Sequence, residues 1–124
     1  VAGGATFNKD VYINGSLLSA SSGWIAPTML NNWVNYSSDF NPCSYFLDPM
    51  GFVHLRGLVK NGSSVGAVIF SLPINLRPKY NNIFTATAND AFAEIRVNSN
   101  GDVYAAALGS TVWTSLDGIH YSLN

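Results

Sequence analysis

Between Cys43 and Lys60 the chain alternates apolar and polar residues with the two-residue period of a half-buried strand. Val53, Leu55, Gly57 and Val59 fall on one face, and His54, Arg56 and Lys60 fall on the other with Phe52 and Leu58. Asp48-Pro49-Met50-Gly51 interrupts the run with the chemistry of a type I turn. Asp opens it, Pro follows with its φ already set, and Gly closes it. The stretch 43–60 is therefore predicted to be a β-hairpin, with Cys43, Tyr45 and Leu47 on the apolar parity of its first arm.

The same pattern recurs along the chain. Residues 1 to 18 hold two short strands around Asn14-Gly15, a strong hairpin signal. Strands this short do not hold together alone in water, so something outside the segment must complete them. Ser19 to Gly23 is a small-residue linker and the predicted boundary between this hairpin and the main body. Pro27 suits the first position of a single helical turn over 26–30, and Trp33 to Tyr36 reads as the first strand of the body. Ser37 to Pro42 is a polar loop. Gly66 to Leu72 is a continuous apolar run of strand length, ended by Pro73. Strands follow over 83–88, 91–97, 102–108, 112–115 and 119–123, with Asn98 to Gly101 and Leu116 to Gly118 as turns. Eight or nine short strands with no useful helical period predict an all-β fold, an antiparallel sandwich or barrel.

Composition narrows this picture in two places. Charged residues make up 10% of the 124 and apolar residues 48%, against about 25% charged in an ordinary globular chain. A chain so poor in charge either hides surface against copies of itself or carries an uncharged Ser/Asn-rich exterior. The net charge is −1 with no basic run, which gives no footprint for nucleic acid or a membrane surface. No apolar run is long enough to span a bilayer, and no signal peptide is visible. The single cysteine, Cys43, has no intrachain partner and reads as a buried structural thiol. Because the chain begins at Val1 rather than Met, it is expected to be part of a longer protein.

Catalytic signatures are lacking. Asp48, Asp90, Asp102 and Asp117 sit in or beside turns, where Asp caps its own backbone, and Glu94 is the only glutamate. A polysaccharide-cleaving pair of carboxylates would have to be assembled from turn residues. His54 and His120 stand far apart, without triad order or metal-ligand spacing, so no catalytic residue, metal or cofactor is assigned. Rings beside amides and hydroxyls suit a saccharide, whose C–H face stacks on an aromatic while polar groups take its hydroxyls. Trp33, Tyr36, Tyr80, Tyr104, Trp113 and Tyr121 are the candidate rings, with Asn81, Asn82, Asp117 and His120 as polar partners. Core or inter-subunit packing is the competing role for each ring. The C-terminal corner of Trp113, Asp117 and His120, joined by Tyr80 and Asn82, is the selected candidate site. A second polar set, His54, Arg56, Glu94 and Arg96, suits either a solvated face or a ladder between subunits.

Several of these segments together resemble the receptor-binding heads of bacteriophage tail fibres. They are the Trp33-Val-Asn-Tyr36 opening, the Asp48-x-x-Gly-x-Val-x-Leu-x-Gly57 hairpin, Leu72-Pro73 with Arg77-Pro78, and Trp113-Thr-Ser-Leu-Asp-Gly-Ile119. The resemblance runs from Trp24 to the C-terminus, and Ile74-Asn75 departs from the Gly-containing turn expected after Leu72-Pro73. It implies a jelly-roll-like head over 23–124, and a stem and linker over 1–22 that looks like one rung of a trimeric fibre shaft. It also implies a homotrimer on the virion, attached to the rest of the tail fibre or baseplate and gripping a host-surface saccharide. A purely structural head that registers the fibre is the second reading, and a saccharide-cleaving enzyme the third. The family's binding residues lie on variable loops without a motif, so the resemblance assigns none here.

Overall fold

The computed structural model describes residues 10–13, 16–19 and 23–124. β1 (Asp10–Ile13) and β2 (Ser16–Ser19) pair antiparallel, from Asp10 opposite Ser19 to Ile13 opposite Ser16, as the Asn14-Gly15 signal predicts. The turn itself and residues 20–22 of the expected linker lie outside the described residues.

The body contains β3 (Val34–Asn35), β4 (Ser44–Leu47), β5 (Phe52–Arg56), β6 (Leu58–Lys60), β7 (Phe70–Ser71), β8 (Asn82–Ala88), β9 (Ala91–Val97), β10 (Asp102–Ala107), β11 (Thr114–Ser115) and β12 (His120–Ser122). A seven-stranded sheet runs β3–β6–β11–β8–β9–β10–β7 and a three-stranded sheet runs β12–β5–β4. Every pairing is antiparallel, and the whole is a curled sheet, half of a barrel. Among the described residues the single helical turn is a 3-10 turn at Ile74–Leu76, directly after Pro73.

Alternation explains which side chains fill the curl. Ala93, Ile95 and Val97 of β9 point inward, as do Val103 and Ala105 of β10. They meet Val53, Leu55 and Tyr45 of the smaller sheet, so both sheets feed one core. Tyr45 stacks on Phe70 with centroids 6.2 Å apart. Full burial of each large aliphatic or aromatic side chain is worth about 1.5–3 kcal/mol. Cys43 is 2% exposed and its thiol is pushed up to about 12 by burial, as befits a structural residue.

The two sheets are joined at a corner that the alternation conceals. β5 and β6 read as one strand, but Gly57 takes φ of +129° and passes the chain from the small sheet to the large one. β11 and β12 make the same crossing beside it, held by Leu116 N–H to Gly57 O and Leu55 N–H to Ile119 O, each 2.8 Å. Val59 keeps its place in the core, and Leu58, on the outer face as expected, is buried at 8% exposure among Tyr36, Phe40 and Trp113.

Two other expectations are corrected. Residues 26–30 form no helical turn, because the segment spends its hydrogen bonds on its neighbours. Ile25 exchanges both backbone bonds with Tyr45, and Leu30 N–H bonds Ile69 O at 2.8 Å. The apolar run 66–72 is strand only at Phe70–Ser71. Upstream, side chains replace the ladder: the Trp33 indole donates to Ala67 O at 3.1 Å and Asn31 Nδ2 to Val68 O at 2.9 Å. After the corner, Ile74–Leu76 takes a 3-10 turn in place of a glycine turn.

Candidate functional site

Two depressions receive the residues selected from the sequence. The larger, about 390 Å³, is lined by Tyr36, Phe40, Leu58, Thr87, Trp113, Ser115 and Asp117. β11 generates its floor. Thr114 and Leu116 point into the core, so Trp113, Ser115 and Asp117 share the opposite face. The buried Thr114 hydroxyl donates to Ser110 O at 2.7 Å and accepts from Ser110 N–H at 3.0 Å, which fixes the loop leading into Trp113. Ser115 sits opposite Leu58 in the ladder.

The wall is built by the polar loop after β3. Tyr36 N–H bonds Leu58 O at 2.8 Å, and the Ser37 turn folds Phe40 back over Tyr36. The two rings meet edge to face, 5.7 Å apart at 77°. Lys60 Nζ lies 5.4 Å from the Tyr36 centroid without lining the depression. Asp117 Oδ1 accepts the Gly57 N–H at 2.8 Å and the Asn41 amide at 3.4 Å, so this carboxylate pins the corner. Among the described residues, Oδ2 has no hydrogen-bond partner.

The smaller depression, about 250 Å³, is lined by Pro78, Lys79, Tyr80, Asn82, His120, Tyr121, Ser122 and Asn124. Tyr80 is 72% exposed, and Asn82 Nδ2 donates to Tyr80 O at 3.0 Å. The candidate set thus divides: Trp113 and Asp117 in one depression, His120, Tyr80 and Asn82 in the other. Phe40, Thr87, Ser115 and Lys79 join them without having been singled out in the sequence. Trp33 and Tyr121 leave the list of possible platforms, since both are buried, and the Tyr121 hydroxyl donates to Leu76 O.

The two histidines do meet. His54 and His120 are cross-strand partners on the small sheet, with rings stacked 5.7 Å apart. His54 Nε2 lies 2.7 Å from Asp48 Oδ2, while Asp48 Oδ1 accepts Met50 and Phe52 N–H. Phe46 flanks His54 on the other side, and Trp24 flanks Phe46 with Arg56 at 4.2 Å over its indole ring. The remaining members of the second polar set, Glu94 and Arg96, pair with each other at 2.7 Å on the larger sheet. No group of three or more His, Cys, Asp or Glu among the described residues is placed to hold a metal ion.

Desolvation works to raise the Asp48 carboxyl, but the hydrogen bonds from His54, Phe52 and Met50 outweigh it and hold it below the ordinary 3.8. A depressed folded-state value contributes stability above 3.8, and that contribution is lost as pH falls through the folded value. Urea midpoints measured across pH 2 to 6, on the order of the carboxylate range, are expected to drop at the acid end. The drop should be smaller in Asp48→Asn, and equal acid sensitivity in the variant would assign the effect to other carboxylates.

No protein-family model matches the chain, and no curated protein matches it in sequence. A solved structure does: the crystal structure of the receptor binding protein (gp15) of Listeria phage PSA, at 28% identity and a TM-score of 0.61. The match covers 79% of this chain and 62% of that one, so this chain spans under two thirds of the other's length. In sequence and in fold alike, the chain is similar to a phage receptor-binding protein.

Proposed function

We propose that this chain is the receptor-binding head and a short piece of stem from a phage tail fibre or baseplate, attaching the virion to a host-surface saccharide. The similarity to the Listeria phage receptor binding protein carries the reading. In this account residues 23–124 form a jelly-roll-like head and 1–22 the stem and linker. The head binds its saccharide without cleaving it, and it works on the outside of the virion. The depression of Tyr36, Phe40 and Trp113 is the site, because ring faces beside the Thr87 and Ser115 hydroxyls suit a sugar. Labelled protein is expected to bind certain strains in a panel of bacteria. Periodate oxidation of the surface sugars should abolish that binding, and protease shaving should leave it. Binding removed by protease and untouched by periodate would overturn the saccharide reading.

The head works as a homotrimer in this proposal. The low charge fraction supports it, as do the exposed Phe92, Leu108, Ile83 and Val112, between 55% and 71% open in the single chain. Light scattering is expected to give three times the 13.3 kDa chain mass. A species of single-chain mass at micromolar concentration would sink the trimer.

A further inference from the structure

We infer that the Trp113 depression selects a ligand carrying a positively charged ammonium group, such as an amino sugar with a free amine. This rests on the adhesion reading and specifies the chemistry of the same site.

Three aromatic rings and one carboxylate line the depression, and no lysine, arginine or histidine does. Aromatic faces carry the negative side of the ring quadrupole, so a cation that loses water against them is drawn in. Phe40 stands edge-on to Tyr36 at 77°, so the two rings present differently oriented surfaces to the space they share with Trp113. A small round cation can meet differently oriented rings together, whereas a flat sugar face stacks on one ring at a time. Lys60 Nζ, 5.4 Å from the Tyr36 centroid, competes for that ring, so a ligand cation depends on Trp113, Phe40 and Asp117.

The carboxylate adds a full charge. Asp117 is fixed by its bonds from Gly57 and Asn41 through Oδ1, which leaves Oδ2 for a ligand. An anionic ligand would meet this charge with no lining cation to offset it, and a neutral sugar would gain hydroxyl hydrogen bonds from it but no ion pair. The Thr87 and Ser115 hydroxyls remain for the hydroxyl groups beside the amine.

The test uses two matched pairs of probes on the full chain: choline against its neutral isostere 3,3-dimethylbutanol, and glucosamine against N-acetylglucosamine. Binding is read by calorimetry and by the change in tryptophan fluorescence. The charged member of each pair is expected to bind about tenfold more tightly. Asp117→Asn keeps an oxygen for the Gly57 N–H while removing the charge, so it should weaken that preference severalfold, leaving the part due to the rings, with the melting temperature nearly unchanged. Equal or tighter binding of the neutral members, or no saturable binding of either, overturns the inference. So does a preference that is undiminished in Asp117→Asn. Periodate-sensitive attachment to bacteria that depends on Trp113 but shows no ammonium preference would overturn this inference while leaving the adhesion reading standing. Ammonium preference in a protein that attaches to no bacterium would do the reverse.

Discussion

Gly57→Ala is expected to be the most damaging single-methyl substitution at the corner. A Cβ built there lies 2.5 Å from Cys43 Cα and 2.7 Å from Cys43 N, and both are backbone atoms that cannot rotate away. The φ of +129° lies outside the regions an alanine adopts without strain. Strain of this kind costs about 1–3 kcal/mol and overpacking about another 1–3, against a total domain stability of about 5–15 kcal/mol. Both sheet crossings pass this point, so the loss is global rather than local. Urea unfolding should show a midpoint lowered by the equivalent of about 3–5 kcal/mol. Gly118→Ala is the control. It has φ of +83° but nothing within 4 Å of an added Cβ, so it should lose only about 1 kcal/mol. Equal midpoints for the two variants would show that the contact with Cys43 is relieved by a shift of the strands.

The corner also shows where sequence reading stops. Alternation located nearly every strand of the body, and the turn residues at Asp48–Gly51 and Asn98–Gly101 marked real reversals. Gly51 N–H bonds Asp48 O at 3.1 Å and Gly101 N–H bonds Asn98 O at 2.8 Å. These are local effects, written in three or four consecutive residues. Gly57 sat in phase with Val53, Leu55 and Val59 and so looked like part of one strand. Its role comes from Cys43, the residue just before β4, pressing on it from elsewhere in the chain, which no local pattern records. The pairing of His54 with His120 was hidden for the same reason, because it depends on β12 adding to the small sheet. The run 66–72 failed differently: its apolar side chains are buried at Ile69, Phe70 and Leu72, but Trp33 and Asn31 took its carbonyls.

Trp113 and Asp117 were grouped by nearness in sequence, and the inward packing of Thr114 and Leu116 between them leaves both on one face. His120, only three residues beyond Asp117, was grouped with them by nearness in sequence. The chain changes sheets between β11 and β12, and that crossing sends His120 to the other depression with Tyr80 and Asn82. Phe40 was passed over because a polar loop is read as solvent-facing. It lines the depression only because the Ser37 turn returns it to Tyr36. The carboxylate of Asp117 was assigned to a ligand, and one of its oxygens turns out to hold the corner. This is why Asp117→Ala would confuse folding with binding, and why the amide is the informative replacement.

Attachment to host cells is expected to fall sharply in Trp113→Ala. Removing an aromatic platform costs about 1–3 kcal/mol per site, roughly ten- to a hundredfold in affinity. In the proposed trimer the loss compounds, because avidity multiplies the contributions of linked sites and weak single contacts are what multivalency amplifies. The fold should tolerate the change, since Trp113 is only half-buried while its neighbours Thr114 and Leu116 carry the inward packing. The measurement is binding of labelled protein to bacteria, with melting temperature and assembled mass recorded alongside. Tyr80→Ala, at a ring 72% exposed in the smaller depression, tests the competing location. Attachment lost in Tyr80→Ala and kept in Trp113→Ala would move the saccharide to the depression of Tyr80, Asn82 and His120. A melting temperature that collapses in Trp113→Ala would assign that ring to structural packing, and Tyr36→Ala would then have to carry the test of the same wall.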